Sequence, residues 1–230
     1  VRINQGKAGL KDLEAVIPHN VHLILIPKVE EAHHLTEVDE KIYSICKKCA
    51  RKDPVYLMPI LETARGILNS LEIARASKNN VAIAIGLEDY TADIGVQRTN
   101  EGRESLFARS QVVNAARSSG IQAIDTVFSD VNDEESLRES VREAKELGFD
   151  GKGCIHPRQI QPIHEEFAPS QSEIERAKKI VLAFDKAEKK GINVVSIGSK
   201  MIDPPVVERA LHTMNMAIIT GLVSKNWKRK

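Results

Sequence analysis

The sequence predicts an α/β protein folded as a (β/α)8 barrel of the TIM type, and three observations lead to this fold class. Short apolar segments alternate with longer segments of helical spacing through residue 156, a pattern typical of βαβ units and a parallel sheet. The short segments are apolar at nearly every position, as strands covered on both faces must be. No Gly-x-Gly-x-x-Gly follows any of them, which disfavours a dinucleotide-binding sheet. An open sheet with a different strand count is the alternative.

Six barrel strands are predicted. The first is the end of a strand at the start of the chain, and the other five are short apolar runs bounded by turn residues. They comprise residues 1–4, 21–27, 55–61, 81–85, 121–127 and 153–155. A barrel of this type has eight strands, so we expect its first two βα units to precede Val1. An arc of six strands alone would expose two strand edges and much of the apolar interior.

Helices with an apolar face are predicted between these strands, at residues 8–17, 30–50, 63–77, 101–118 and 133–147. The last of them begins with acidic residues and is followed by Gly148, and both features are typical helix start and stop signals.

The alternation of strand and helix stops after His156, and two domains are therefore expected. We predict a barrel domain at residues 1–168 and a helical arm or lid at residues 169–230. The arm should begin with a long helix that Ser170 or Ser172 caps.

The rest of the arm is predicted from its turn residues. Gly191 should end the long helix. A short apolar piece follows at 194–197, and Pro204 or Pro205 is well placed to open a last helix that runs through Thr220. The basic tail at 224–230 is expected to fray.

Composition excludes several classes of function. The formal net charge is +1 over 230 residues, which gives no reason to expect nucleic acid or an anionic membrane as the main partner. No apolar run approaches the roughly 20 residues that span a bilayer. Cys46 and Cys49 form one Cys-x-x-Cys pair without the second pair that a structural zinc site needs. Cys154 is expected to pack in an apolar strand, and a cytoplasmic, reducing setting suits all three cysteines.

Two predicted strands end in acidic residues. Glu62 and Asp89 are 89 − 62 = 27 residues apart, about one βα unit, and a barrel builds its active site at the carboxyl ends of its strands. Two carboxylates there can hold Mg²⁺, which prefers a few carboxylate oxygens and leaves positions for water and substrate. The alternative is that each carboxylate caps the following helix or pairs with Arg65 or Arg98.

Eight short segments, in order and over nearly the whole chain, carry a resemblance to a known family. They are VRIN at 1–4, ETARG at 62–66, GLEDY at 86–90, DTVFSD at 125–130, GFDGK at 148–152, HPRQI at 156–160, APS at 168–170 and KMID at 200–203. Together they resemble the citrate lyase β-subunit group of the HpcH/HpaI aldolase family.

The resemblance implies a barrel enzyme that uses Mg²⁺ to cleave a carbon–carbon bond in a hydroxy-acyl thioester, giving an oxo acid and an acetyl thioester. It implies that Glu62 and Asp89 bind the metal, with Glu62 also near substrate, and that Arg2 binds substrate. It also implies that Asp203 completes the site of a neighbouring subunit, and hence a homo-oligomer, a trimer or a multiple of one.

The chemistry of this cleavage suits those residues. The reaction releases an enolate, whose charge a fixed cation such as Arg2 can stabilise, while the metal acts as a Lewis acid on the oxo-acid half. Asp203 could move a proton near the thioester carbon. Its alternative role is to cap the helix that follows it.

Further charged residues are candidates for contact with coenzyme A or a phosphopantetheine arm, with a solvated surface charge as the alternative: Lys152, Arg158 and Lys200. Glu88 is expected beside the metal ligands, Asp93 could orient a ligand or cap a turn, and His156 could touch substrate or form a structural turn.

Two other functions stay open at this point. One is an aldolase of the same family that acts on free hydroxy-oxo acids. The other is an inactive piece that contributes only a subunit interface. The acyl group, and the choice between coenzyme A and a carrier protein, are not predicted.

Overall fold

The computed structural model describes residues 1–189, 195–197 and 200–228, and it divides the chain into two compact units, Val1–Ile163 and His164–Lys230. The first unit is an α/β unit with a parallel sheet, and the second is mainly helical. The domain boundary predicted between residues 168 and 169 stays a prediction.

The first unit contains five parallel strands in sequence order. They are β1 (Leu23–Ile26), β2 (Tyr56–Leu61), β3 (Ala82–Ile85), β4 (Gln122–Asp125) and β5 (Gly151–Lys152). Beyond β1, Arg2 forms an isolated parallel bridge with Leu25. The predicted parallel α/β sheet is therefore confirmed, although the predicted first strand contributes only this bridge among the described residues.

The last predicted strand was placed wrongly. Residues 151 and 152 pair with Ile124 and Asp125, so β5 precedes the predicted segment 153–155. The backbone N–H of Ile155 donates instead to the side-chain carbonyl of Gln159, which removes it from any strand ladder. Cys154, expected to pack in that strand, is exposed for the same reason.

The two faces of β1 and β2 differ in burial. Ile24 and Leu57 are fully buried, whereas Leu25 and Met58 are half-buried. Side chains alternate between faces along a strand, so Glu62, which directly follows β2, continues the half-buried row of Met58.

Eight helices of the described chain begin in the first unit. They are α1 (Gly6–Val16), α2 (Ala32–Lys48), α3 (Ala64–Leu68), α4 (Ser70–Ala74), α5 (Leu87–Asp93), α6 (Leu106–Ser119), α7 (Glu134–Leu147) and α8 (Ile160–Phe167). The Asp133 carboxylate caps α7 by accepting from the Ser136 N–H at 3.0 Å, and Gly148 ends it with a φ of 98°. Both helix signals in the sequence are confirmed.

Two helix predictions differ from the structure, and two helices were not predicted. The predicted helix 63–77 is divided at Asn69, whose side-chain amide donates to the Glu30 carbonyl at 2.8 Å. The helix predicted from residue 101 begins at Leu106, because the Glu104 carboxylate folds the preceding turn back onto Thr99. Helices α5 and α8 were not predicted.

The second unit contains two long helices and a hairpin. They are α9 (Gln171–Glu188), the antiparallel pair β6 (Val195–Ile197) and β7 (Lys200–Ile202), and α10 (Pro204–Ile219). Ser170 caps α9 in a reciprocal capping box with Glu173, a pair that satisfies two N-terminal N–H groups. The end predicted at Gly191 lies outside the described residues.

A small apolar core joins α9 to α10. Buried side chains such as Val181 and Met214 form it, and Trp227 packs against it. The Lys228 ammonium pairs with Asp185 at 2.8 Å. Residues 224–228 of the tail predicted to fray are therefore held in place through Lys228. In the part of the chain that the structure describes, no helix is long and apolar enough to cross a bilayer.

Candidate functional site

The structure brings Glu62 and Asp89 together at the carboxyl edge of the sheet. Glu62 is only 9% exposed, whereas the Asp89 side chain, in the first turn of α5, is 49% exposed. The pKa of Glu62 is raised, first by burial and then by the charge of Asp89 and a hydrogen bond with it. Two carboxylates that share a site resist ionising together, so the pair is ready to accept a cation.

The alternative interpretations of this pair do not match the contacts. The helix after Glu62 is capped by Thr63, whose hydroxyl accepts the Gly66 N–H at 3.1 Å. Arg65 pairs with Glu31 at 3.1 Å. Arg98 pairs with Glu88, as described below, and neither arginine is an ion-pair partner of Glu62 or Asp89.

Lys28, which the sequence did not single out, contacts both carboxylates. Its backbone N–H donates to Glu62 Oε1 at 2.8 Å, and its ammonium lies 2.7 Å from Asp89 Oδ1. Its φ is 48°, a left-handed conformation that costs a non-glycine residue roughly 1–2 kcal/mol. Strain of this kind concentrates at functional sites. The available signal was a cation two residues after a buried strand.

Gly86 leaves the space that Glu62 fills. A Cβ at position 86 would lie 2.6 Å from Glu62 Oε2 and 3.0 Å from Glu62 Cβ, both too close for non-bonded atoms. The φ of Gly86 is −112°, so the backbone itself would accept any residue. Glycine is needed here because the end of β3 approaches the Glu62 side chain so closely.

Two contacts tie α5 to the end of β4. Thr126 Oγ1 accepts the Leu87 N–H at 3.2 Å. The Arg98 guanidinium pairs with Glu88 Oε1 at 2.6 Å and donates to the Val127 carbonyl at 3.0 Å. Glu88 thus lies next to Asp89 in sequence, as expected, but its charge is engaged by Arg98.

Asp93 ties the other end of α5 to the segment that carries Glu62. Its Oδ2 accepts the Ala64 N–H at 2.8 Å. Of the two roles that the sequence left open, the structure gives it a capping role at the start of α3.

The residues present fit a magnesium ion. Two converging carboxylates face one ammonium, so the site keeps a negative excess. In the described part of the chain no group of three or more His, Cys, Asp or Glu side chains could hold a metal. A metal here would therefore complete its shell with water and substrate, as Mg²⁺ usually does.

Arg2 and Asp203 occupy different units. The bridge to Leu25 places Arg2 in the row of Leu25 and Met58, on the sheet face that also carries Glu62. Asp203 Oδ1 accepts the Val206 N–H at 3.2 Å and caps α10. The capping role is therefore present, and a catalytic role for Asp203 stays a prediction.

Lys152, a candidate for phosphate contact, is instead buried in an ion cluster. Its ammonium lies 2.8 Å from Asp125 Oδ2, with 2% of the Lys152 side chain exposed. Arg109 donates two hydrogen bonds of 3.1 Å to the same carboxylate. Burial lowers the pKa of Lys152, and Asp125 opposes that effect. The interpretation as a solvated surface charge was wrong for this residue.

The remaining candidate residues make few contacts that would indicate a functional role. His156 Nδ1 accepts the Arg158 N–H at 3.2 Å, which fits a structural turn. Arg158 is exposed, and the side chain of Lys200 lies outside the described residues. The cysteines are free, and burial raises the pKa of the Cys46 thiol.

A parallel α/β sheet whose carboxyl edge gathers two carboxylates is typical of an enzyme that binds a divalent cation at its strand ends. The chain matches the HpcH/HpaI aldolase/citrate lyase family over residues 1–157, and it belongs to that family.

Individual relatives resemble nearly all of this chain. It is 40% identical over 225 residues to the citrate lyase subunit beta of Escherichia coli K12, covering 96% of this chain and 74% of the relative. It is 32% identical over 229 residues to the mitochondrial citramalyl-CoA lyase of Homo sapiens, and this match covers 94% of this chain and 67% of the relative. Among solved structures, the CitE protein of Mycobacterium tuberculosis in complex with magnesium, acetoacetate and coenzyme A is 27% identical. The match covers 94% of this chain and 76% of the CitE chain, with a TM-score of 0.77.

Proposed function

We propose that this protein is a magnesium-dependent lyase that cleaves a citryl-type hydroxy-acyl thioester. The products are an oxo acid such as oxaloacetate and an acetyl thioester. The observation that carries the proposal is the contact of Lys28 with both Glu62 and Asp89, which brings the two carboxylates together at the carboxyl edge of the sheet, in a chain 40% identical to a citrate lyase subunit beta. The magnesium, acetoacetate and coenzyme A bound by the related CitE protein support the same class of ligands.

Glu62 and Asp89 are the proposed metal ligands. The hydrogen bond from Lys28 fixes Glu62 Oε1, and the packing of Oε2 against Gly86 fixes the other oxygen. When bound, Mg²⁺ supplies Lewis-acid stabilisation of the developing carbonyl oxygen of the oxo acid. The closeness of the carboxylates matters because each lowers the free energy of a cation between them.

Cleavage requires charge and proton transfer at defined atoms. The substrate hydroxyl loses its proton, its C–O bond becomes a carbonyl, and the adjacent carbon–carbon bond breaks. The electron pair of that bond moves to the thioester side as an enolate, whose oxygen the Arg2 guanidinium stabilises. Protonated Asp203 is proposed to donate a proton to the thioester α-carbon, which yields the acetyl thioester. The proton that the substrate hydroxyl releases to solvent balances the one that Asp203 takes back from solvent.

The test is a panel of hydroxy-acyl thioesters, as coenzyme A and as carrier-protein esters, with oxo-acid release measured at fixed Mg²⁺. We expect release from a citryl-type thioester and its loss in Glu62→Gln and Asp89→Asn, with Mg²⁺ affinity lost in parallel. Asp130→Asn is a matched control on a nearby loop. Release from free hydroxy-oxo acids alone would favour the aldolase, and no release from a chain of verified mass would favour an inactive subunit.

We also propose that the protein is a homo-oligomer, a trimer or a multiple of one, in which Asp203 completes a neighbour's site. Apolar side chains exposed on α10 and just after it support an interface there: Leu211, Ile219 and Leu222 are 43%, 68% and 55% exposed. The closed eight-stranded barrel, with two βα units before Val1, and the cytoplasmic setting stay predictions alongside it.

The oligomer proposal has a direct test by mixing. Asp203→Asn and Glu62→Gln, each inactive alone, should regain activity when their subunits exchange, because some sites then receive one intact residue from each chain. Subunit exchange is confirmed by mass spectrometry of isotopically labelled chains. Mixed oligomers that form and stay inactive would rule out an Asp203 that acts in a neighbouring subunit.

A further inference from the structure

Helix α5 carries Asp89 but has no capping side chain of its own. Its N-cap residue is Gly86, and no side chain there accepts a hydrogen bond from the helix. A capping residue such as Ser or Asp would displace the Glu62 carboxylate, because its Cβ would lie 2.6 Å from Glu62 Oε2. The close approach that admits Glu62 therefore leaves the first turn of α5 without the usual local cap.

Thr126, at the end of β4, supplies the missing acceptor. Its hydroxyl oxygen accepts the N–H of Leu87, the first residue of α5, at 3.2 Å. Thr126 is 3% exposed and Leu87 is 4% exposed, so water has little access to this N–H. A buried N–H without a partner destabilises the folded state, and that cost favours the backbone position in which the bond forms.

Arg98 makes a second tie between the same two elements. It joins Glu88, which is adjacent to Asp89, to the carbonyl of Val127, which is adjacent to Thr126. The Arg98 side chain is 20% exposed. The first turn of α5 is thus held to the end of β4 through two neighbouring residues on each side.

We propose that Thr126 is a positioning residue for the metal site. Its hydroxyl holds the first turn of α5 so that the Asp89 carboxylate faces Glu62. Thr126 acts through the backbone of Leu87, two residues before Asp89, and contacts no metal or substrate. This inference rests on the proposed metal site and adds to it a residue from the neighbouring strand.

Thr126→Val and Thr126→Ser separate the hydroxyl from the shape of the side chain. Val keeps the volume and loses the acceptor, whereas Ser keeps the acceptor. Ser105→Ala is the matched control, because Ser105 is fully buried and its hydroxyl donates to the Gly102 carbonyl at 3.0 Å. Mg²⁺ dissociation constants are measured by titration calorimetry on each folded variant, and melting temperatures are measured without the metal.

We expect Thr126→Val to raise the Mg²⁺ dissociation constant about tenfold, at the low end of the loss typical when a supporting residue of a metal ligand is removed. Thr126→Ser should restore the dissociation constant to within about threefold of the parent value. Ser105→Ala should lower the melting temperature without changing the dissociation constant. A normal dissociation constant in Thr126→Val would overturn the inference. Parent protein that binds no Mg²⁺ would instead remove the proposed metal site itself.

Thr126→Ala keeps the inference testable if Thr126→Val fails to fold. Ala also lacks the hydroxyl acceptor, and it adds no methyl group in its place. We expect the dissociation constant to rise about tenfold, as for Thr126→Val, and an unchanged value in this variant would overturn the inference.

Discussion

Two groups of charged side chains lie at the carboxyl ends of neighbouring strands, and they differ in charge balance and burial. At β1 to β3, Glu62 and Asp89 face a single ammonium, that of Lys28, and the outer half of the group is open to solvent. At β4 and β5, Asp125 is completely buried between Arg109 and Lys152, and Arg109 also pairs with Glu143 at 2.8 Å, so that two carboxylates balance two cations.

The difference separates the proposed binding site from a structural ion cluster. Buried ions must be paired and hydrogen-bonded, or the fold loses stability. The Asp125 carboxylate meets that requirement within the chain, so it has no demand for a ligand. The Glu62 carboxylate is 9% exposed and shares its surroundings with another negative charge. Burial in the first place, and then that charge, raise its pKa. The negative charge that remains at Glu62 and Asp89 is what an external cation can neutralise.

The largest expected effect comes from breaking the balanced group. Asp125→Ala leaves Lys152 buried beside Arg109 without the carboxylate between them, and should lower the free energy of unfolding by about 3–5 kcal/mol. Asp89→Ala, which removes an exposed pair, should change it by about 1 kcal/mol or less. Chemical denaturation of both variants without metal measures the difference. Equal losses would show that the two groups are energetically alike.

Filling the space beside Glu62 should affect the group of Glu62 and Asp89 and leave the group around Asp125 unchanged. In Gly86→Ala the new Cβ displaces the Glu62 carboxylate, and we expect Mg²⁺ affinity to fall about tenfold with little change in the backbone. Gly151→Ala is the control, because a Cβ there meets only Ile124 Cδ1 at an ordinary 3.4 Å. Calorimetric titration measures the affinity, and wild-type binding in Gly86→Ala would contradict the geometry described for Glu62.

The smallest expected effect comes from removing the Lys28 ammonium, which should increase the difference in charge balance between the two groups. Lys28→Met keeps the N–H on Glu62 and deletes the ammonium, so Mg²⁺ should bind about threefold to tenfold more tightly. The gain should shrink at high ionic strength because exposed charges are screened.

Lys41→Met is the matched control for that variant, since it removes a lysine that pairs with Glu14 on the helical surface. Weaker Mg²⁺ binding in Lys28→Met would mean that the ammonium orients Asp89 more than it repels the metal.

The sequence pointed to those residues of the candidate site that a local pattern singles out. Glu62 and Asp89 were found because each follows an apolar run, and the ends of parallel strands meet at one edge. Lys28, Gly86 and Thr126 were not found.

Their roles depend on contacts between residues that are distant in sequence. The hydrogen bond from Lys28 to Glu62 spans 34 residues, and that from Leu87 to Thr126 spans 39. No local pattern encodes such contacts, because they follow from the register of neighbouring strands.

The same reasoning accounts for the errors in the fold. The apolar stretch at 153–155 has strand composition, but register and the Gln159 side chain place the strand two residues earlier. Asn69 interrupts a continuous helical pattern because its amide reaches the Glu30 carbonyl, a contact across 39 residues. Lys152 carries a charge that composition assigns to the surface, and only its partner Asp125 makes its burial possible.

The left-handed backbone at Lys28 limits which residues could occupy that position. Gly and Asn adopt this conformation with less strain and would still present an N–H to Glu62. Neither carries a cation, so in either case the two carboxylates would keep their full negative charge. At the proposed metal site, the charge of this one side chain would therefore contribute to the free magnesium concentration at which half of the sites are filled, and a substitution at position 28 would change that concentration without altering either proposed ligand.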